Sequence, residues 1–213
     1  MKFCFSKFQT FLNGLILIIV HGSCHNYYNA SPTSISSGIV KPVFGIKAGL
    51  ALSNATINQT DTNSNTLKTS PRTGVLGGIY VDVPLGKELI FRPEADIVSK
   101  GIREKYDYSS SSDYPVIFTY IDFPLNIFYK KNYTNGHLIA GGGPVIGIPL
   151  KDYYSIYPLK TEFSINGLIG YELAIGFSLN LNYTYGLSNA SSNKQLISKI
   201  SNRYLGITVG YSF

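Results

Sequence analysis

The chain has 213 residues, of which 44% are hydrophobic and only 14% charged, with 21 Gly, 17 Tyr, 12 Phe, no Trp and a formal net charge of +6. Intrinsic disorder needs low hydrophobicity and high charge, and an average soluble domain carries roughly a quarter charged residues, so disorder is excluded. Asn, Ser and Thr beside Gly, Tyr, Ile and Val form a β composition rather than that of a helical bundle.

Residues 1–22 follow the order of a secretory signal. Lys2 and Lys7 precede the apolar run Phe11-Leu12-Asn13-Gly14-Leu15-Ile16-Leu17-Ile18-Ile19-Val20, and small Gly22 and Ser23 follow. A helical anchor would need about 20 apolar residues, and this run is half that and contains Asn13. Cys24 is a candidate for lipidation because small residues precede it, although His21 stands where a lipoprotein signal carries Leu. Cys4 would leave with the signal, so the mature chain could form no internal disulfide. Taking Lys2 and Lys7 from the 18 basic residues leaves 16 against 12 acidic ones, a net +4. That excess is scattered, with no basic run or helix suited to nucleic acid. Residues 23–42 are polar, contain Pro32 and several serines, and are expected to form a flexible arm.

From residue 43 the hydrophobic period is two, and eight segments follow. Segment one, Val43–Ser53, sets Ile46, Ala48, Leu50 and Leu52 against Lys47, Gly49, Ala51 and Ser53. Segment two, Thr73–Leu85, sets Val75, Ile79, Val81 and Val83 against Leu76, Gly78, Tyr80 and Asp82. Segment three, Glu88–Arg103, sets Leu89, Phe91, Pro93, Ala95 and Ile97 against Arg92, Glu94 and Asp96. Segment four, Val116–Tyr129, sets Ile121, Phe123, Leu125 and Ile127 against Tyr120, Asp122 and Asn126. Segment five, Gly136–Leu150, has the weakest alternation, with Leu138, Ala140, Ile146 and Ile148 opposing three glycines. Segment six, Glu162–Tyr171, sets Phe163, Ile165 and Ile169 against Glu162, Ser164 and Asn166. Segments seven, Ala174–Tyr185, and eight, Asn202–Phe213, alternate apolar residues with Gly, Ser, Thr and Asn.

Globular strands average about 5–6 residues, whereas a tilted bilayer-crossing strand needs about 9–11. These segments reach the second length. Their connections alternate long and short: Asn54–Arg72, Gly86-Lys87, Glu104–Pro115, Lys130–Asn135, Lys151–Thr161, Glu172-Leu173 and Gly186–Ser201. Short periplasmic turns and long outer loops of an up-and-down barrel produce that order. The polar face carries Gly, Ser, Thr and Asn rather than the long charged side chains of a solvated sheet, which suits the crowded inside of a narrow barrel. The expected fold is therefore all-β, an eight-stranded antiparallel transmembrane barrel over residues 43–213, with a soluble lipocalin-like barrel as the alternative. Aromatics should gather near strand ends as girdles. Tyr106, Tyr108, Tyr114, Tyr129, Tyr133, Tyr171, Tyr183, Tyr185 and Tyr211 occupy such places.

Several stretches together resemble a known family. Phe44-Gly45-Ile46-Lys47-Ala48-Gly49-Leu50 is similar to its opening strand, and Phe91-Arg92-Pro93-Glu94-Ala95-Asp96-Ile97-Val98-Ser99-Lys100-Gly101 to its third, with Ala95 where Leu is usual. Tyr120-Ile121-Asp122-Phe123-Pro124-Leu125 is similar to the fourth strand, and Asn182-Tyr183-Thr184-Tyr185-Gly186-Leu187-Ser188-Asn189 to the seventh. The chain thus resembles the small eight-stranded outer-membrane barrels of the porin-family type common in Bacteroidota, related in architecture to OmpA and OmpX. The resemblance implies an outer-membrane location with periplasmic termini. It also makes Tyr211 and Phe213 a terminal signal for the barrel-assembly machinery. It implies no activity, because the family is defined by architecture.

Lys47, Asp82, Arg92, Glu94, Asp96, Asp122, Glu162 and Glu172 fall on the inward face, and Lys47 and Arg92 are expected to pair with Asp82, Glu94, Asp96 and Asp122. Buried charges must be paired, so a stiffening plug is the first reading of this set. Six acids against two bases keep a narrow solute path as the second. His25 and His137 are the histidines beyond the signal, and no Ser-His-Asp arrangement is suggested. Asp61-Thr62-Asn63-Ser64-Asn65-Thr66 imitates a calcium loop but has Thr66 and Arg72 where Gly and Glu are required. Gly141-Gly142-Gly143-Pro144 lacks the Lys-Ser/Thr ending of a phosphate loop, and is expected to let strands approach closely. The sequence thus points to a monomeric, non-catalytic barrel without cofactor or metal. Its partners would be outer-membrane lipids, the assembly machinery and a surface ligand met by Asn54–Arg72 and Gly186–Ser201. A lipid-modifying enzyme is a third reading.

Overall fold

The computed structural model describes residues 41–59, 69–104, 114–150, 159–190 and 197–213. The expected signal, arm, Cys24, His25, Tyr106, Tyr108 and the calcium-like stretch Asp61–Thr66 lie outside the described residues. Eight strands follow in chain order: β1 (Val43–Gln59), β2 (Thr69–Pro84), β3 (Leu89–Glu104), β4 (Tyr114–Tyr133), β5 (Gly136–Pro149), β6 (Glu162–Leu173), β7 (Phe177–Gly186) and β8 (Ile197–Ser212). Each pairs antiparallel with its neighbours, and β8 closes onto β1. This is the eight-stranded antiparallel barrel that the period-two pattern predicts.

The register fixes the barrel's pitch. Starting at Glu162 on β6, the cross-strand partners run Gly147, Asp122, Asp96, Gly78, Lys47, Gly210 and Ser178, and return to β6 at Glu172. The row closes ten residues along the strand from where it began, which is the shear of the barrel. Eight strands with such a stagger tilt by roughly 40° and leave an interior only wide enough for side chains.

Most Ile, Leu and Val of the strands face away from that interior, while Leu76, Ile90, Val98, Ile102, Ile139, Val145 and Leu168 turn into it. Val75, Ile79 and Leu181 are 65%, 62% and 43% exposed, whereas Tyr120, Asp122 and Asn126 are fully buried. On β6 and β7 the two classes alternate without a break. An exposed apolar wall with a polar interior is the inverse of a water-soluble protein and is suited to hydrocarbon. Aromatic side chains gather at the strand ends. Tyr129, Tyr133, Tyr171 and Phe177 ring the end with the short turns, where Tyr211 packs between Phe177 at 4.9 Å and Phe213 at 5.3 Å.

Several boundaries differ from expectation. Glu172-Leu173 is not a turn. Strand β6 runs through Leu173, and the reversal falls at Ala174–Gly176, where Gly176 takes φ +90° and its N–H donates to the Leu173 carbonyl at 2.9 Å. A left-handed backbone there suits Gly, and the apolar residues on either side had hidden it. Strand β4 continues to Tyr133, leaving only Thr134-Asn135 as a two-residue turn. The polar ends of two expected loops are strand as well, since β1 reaches Gln59 and β8 begins at Ile197. The β1–β8 ladder continues to Gln59–Ile197, while the β1–β2 ladder ends at Ser53–Arg72. The glycine run of β5 does sit against neighbouring strands, for a Cβ on Gly142 would lie 2.0 Å from the Asn166 carbonyl oxygen.

Placing arginine on the lipid-facing wall tests this orientation. Leu181→Arg should cost about 2–4 kcal/mol, the penalty of a charge near the bilayer midplane, read by urea titration of the barrel in liposomes. Wild-type barrel should also migrate faster in gels unboiled than boiled.

Candidate functional site: the charged lumen

The strand alternation that turns apolar residues outward turns every expected lumen residue inward. Asp82, Arg92, Glu94, Asp96, Asp122, Glu162 and Glu172 are all buried, and Lys47 nearly so. They occupy successive levels along the axis. At the end with the short turns, a vestibule of about 180 Å³ is lined by Asp82, Lys87, Ile90, Lys130 and Glu172. Lys130 Nζ donates to Glu172 Oε1 at 2.9 Å. Beyond the vestibule, Arg92 pairs with Asp82 through two hydrogen bonds, one of them Nη2 to Oδ2 at 2.7 Å. Its guanidinium lies 4.2 Å from the centre of the Tyr80 ring and 5.1 Å from that of Phe128. A planar cation held by a carboxylate fork and two aromatic faces is fixed in position.

The next level joins five strands. Lys47 on β1 bridges Glu94 and Asp96 of β3, reaching Asp96 at 2.7 Å. Glu94 Oε1 accepts from Asn126 Nδ2 at 2.9 Å, Asn126 Oδ1 accepts from Asn166 Nδ2 at 3.2 Å, and Asn166 Oδ1 accepts from Thr184 Oγ1 at 3.3 Å. This chain of polar groups crosses from β1 through β3, β4 and β6 to β7. Above it, Lys100 reaches Asp122 at 2.9 Å and Glu162 at 3.7 Å. Its ammonium sits 4.4 Å from the centre of the Tyr120 ring and 5.4 Å from that of Tyr204. Glu162 also accepts from Ser164 Oγ at 2.9 Å and from Asn202. The loop end closes on apolar side chains: Ala55, Ile102 and Ala190 are buried together, with Val116 and Leu159 against them.

One pairing differs from the sequence expectation, and two further bases join the set. Asp122 takes Lys100 as its partner rather than Lys47 or Arg92, because Lys100 lies on the neighbouring strand while Lys47 is occupied by two acids. Lys100 was legible in the pattern, since it shares parity with Arg92, Glu94 and Asp96. Lys130 was hidden, because the short turn was placed over it. Among the described residues the six lumen acids therefore pair with four bases rather than two. His137, beside the β4–β5 turn, has Nδ1 2.8 Å from Asn132 Oδ1 and lies opposite Glu172 in the β5–β6 register.

Inward glycines make room for the polar tips. A Cβ added to Gly78 would lie 2.1 Å from Asp96 Oδ1, one on Gly147 2.7 Å from Asp122 Oδ1, and one on Gly170 2.1 Å from Asn180 Oδ1. The glycines that a propensity reading treats as weak points in a strand are the sockets for the lumen's hydrogen-bonding groups.

Two experiments probe this arrangement. Lys100→Met strands Asp122 and Glu162 without a cation and should cost about 3–5 kcal/mol, as for other broken buried pairs. Lys131→Met, at an exposed position, should stay within about 0.5 kcal/mol of wild type in the same unfolding titration. Gly78→Ala should lose about 1–3 kcal/mol through overpacking, whereas Gly167→Ala, where a Cβ meets nothing within 4 Å, should not destabilise.

Comparison with known proteins places this barrel in context. No curated protein matches the chain. Among solved structures, the outer membrane protein OprG of Pseudomonas aeruginosa aligns with a TM-score of 0.55 at 12% identity, over 82% of this chain and 97% of its own. Neisserial surface protein A aligns with a TM-score of 0.46 at 15% identity, over 80% and 97%. Ail of Yersinia pestis, solved with a heparin analogue, gives 0.41 at 12%, over 81% and 99%. At 12% identity the likeness to OprG speaks for the fold alone. The model of the outer membrane protein beta-barrel domain matches residues 41–192. The chain belongs to this family of outer membrane β-barrel domains.

Proposed function

We propose that this protein is a non-catalytic outer-membrane scaffold whose closed barrel presents its longer connections to the outside for partner binding. The observation that carries this reading is the cross-linked lumen. Arg92 between Tyr80 and Phe128, the polar chain from Lys47 to Thr184, and the apolar group around Ile102 fill three successive levels. Each of the six lumen acids is engaged by a base, and this supports structural pairing over acid–base catalysis. The termini then face the periplasm. Tyr211 and Phe213, at the end of the closing strand, serve as the assembly signal, and Cys24, outside the described residues, is the lipidation candidate. The barrel acts as a monomer.

A narrow cation path is the second reading. It is favoured by six acids sharing four bases, and by Asp96 Oδ1 and Asn180 Oδ1, which accept no hydrogen bond among the described residues.

Planar-bilayer recording separates the two. The scaffold reading expects silence from the purified barrel, and a steady cation-selective step would overturn it. Orientation is checked on intact cells: an epitope inserted within residues 60–68 should be cleaved by added protease, whereas one fused after Phe213 should be protected.

A further inference from the structure

We propose that a trough on the lipid-facing wall, formed by β8, β1 and β2, holds an acyl chain of a phosphorylated outer-leaflet glycolipid, with the lipid's phosphate on Arg203. This inference rests on the outer-membrane orientation proposed above.

The trough has a volume of about 480 Å³ and is lined by Ala48, Leu50, Leu52, Leu205, Ile207 and Val209, with Thr73 at one end. Its floor is set by small residues. Ala48 faces outward between Gly77 on β2 and Val209 on β8. The glycine is not demanded by crowding. A Cβ added to Gly77 would meet nothing nearer than the Lys47 carbonyl oxygen at 3.5 Å, whereas inward Gly78, its neighbour, has no such room. Larger residues stand proud around this floor: Leu50 is 59% and Ile207 55% exposed. The result is a channel between ridges on a surface that hydrocarbon must cover.

What distinguishes the trough from ordinary apolar wall is its upper end. Arg203 is exposed on β8 and shares the outward face of Leu205, Ile207 and Val209, one step nearer the loop end. Its cross-strand partner on β7 is Tyr185, an exposed aromatic suited to the membrane–water boundary. A cation on the lipid-facing wall costs least near that boundary, and a guanidinium matches phosphate oxygens with two parallel hydrogen bonds. Thr73, opposite Leu52 in the register, adds a hydroxyl at the same end. The wall therefore offers an apolar track that finishes in a cation. An amphiphile with an acyl tail and an anionic head has that shape and charge. With the loops outward, the cationic end lies in the outer leaflet, where phosphorylated glycolipid is the anionic lipid. Phosphatidylglycerol would approach from the opposite leaflet.

Native mass spectrometry of the full barrel in zwitterionic micelles tests the assignment. The probes are diphosphoryl lipid A and its dephosphorylated form. Wild type should retain one diphosphoryl lipid A at least tenfold better than the dephosphorylated form. Arg203→Gln should erase that preference. Ala48→Leu, which fills the floor, should lower retention at least fivefold, and Gly77→Leu does the same from the neighbouring strand should Ala48→Leu fail to show heat-modifiable mobility. Equal retention by wild type and Arg203→Gln overturns the proposal. So does equal retention of the dephosphorylated form, unchanged retention in the floor variants, or a lipid-free dimer. Channel activity in planar bilayers would defeat the scaffold reading and leave the lipid result standing. Protease cleavage after Phe213 on intact cells would defeat the orientation on which the choice of leaflet depends.

Discussion

A strand in hydrocarbon has no water to satisfy its peptide groups, so each N–H and C=O must find a partner on the next strand. Closure of β8 onto β1 meets that demand, and the other main features follow from it. A closed sheet with a period-two side-chain pattern has one inner and one outer set of residues. The outer set must be apolar because it touches lipid. The inner set is free to be polar, but eight strands leave too little room for bulk water. Charges inside must therefore neutralise one another through direct contact, and the levels from Lys130 to Lys100 do so.

The register supplies the geometry for this. A single sloping row around the wall holds Glu162, Asp122, Asp96, Lys47 and Glu172, and the places between them are Gly147, Gly78, Gly210 and Ser178. Asp122 and Asp96 stand side by side in it, and a glycine separates them from Glu162 on one side and from Lys47 on the other. A lysine or glutamate at every place would overfill the lumen, and a glycine at every place would leave its charges too far apart to pair. Packing and electrostatics are thus solved by the same spacing. Aromatic faces add to the hold on the buried ammonium of Lys100, which rests against Tyr120 and Tyr204 while serving Asp122 and Glu162.

Much of this was legible in the amino-acid order, for a physical reason. The inside–outside alternation is local, so the facing of Leu181, Asn182 and their neighbours could be read residue by residue. Partner choice is not local. Lys100 has the right parity, yet its pairing with Asp122 depends on the β3–β4 register, which no single strand encodes. Turn positions were obscured wherever polarity did not change, as at Glu172-Leu173, where the strand simply continues. Lys130 was lost for the same reason. The outer ends of β1 and β8 read as loop because Asn54–Gln59 and Ile197–Ser201 carry no sustained apolar alternation.

The mismatch in ladder lengths at the loop end has a further consequence. Beyond Ser53 and Arg72 the first two strands part, so Asn54–Gln59 continue with β8 while Thr69–Pro71 continue with β3. Ser53 Oγ fastens the fork, accepting from the Gly101 N–H and contacting the carbonyls of Arg72 and Gly101 at 3.1 and 3.0 Å. Past this rivet β1 and β2 no longer hold each other, and each stays laddered only to its other neighbour. Insertions there lengthen a closure whose entropic cost rises only with the logarithm of its length. Natural selection can accordingly redraw the crown of the molecule from one lineage to another while the cylinder that carries it stays the same.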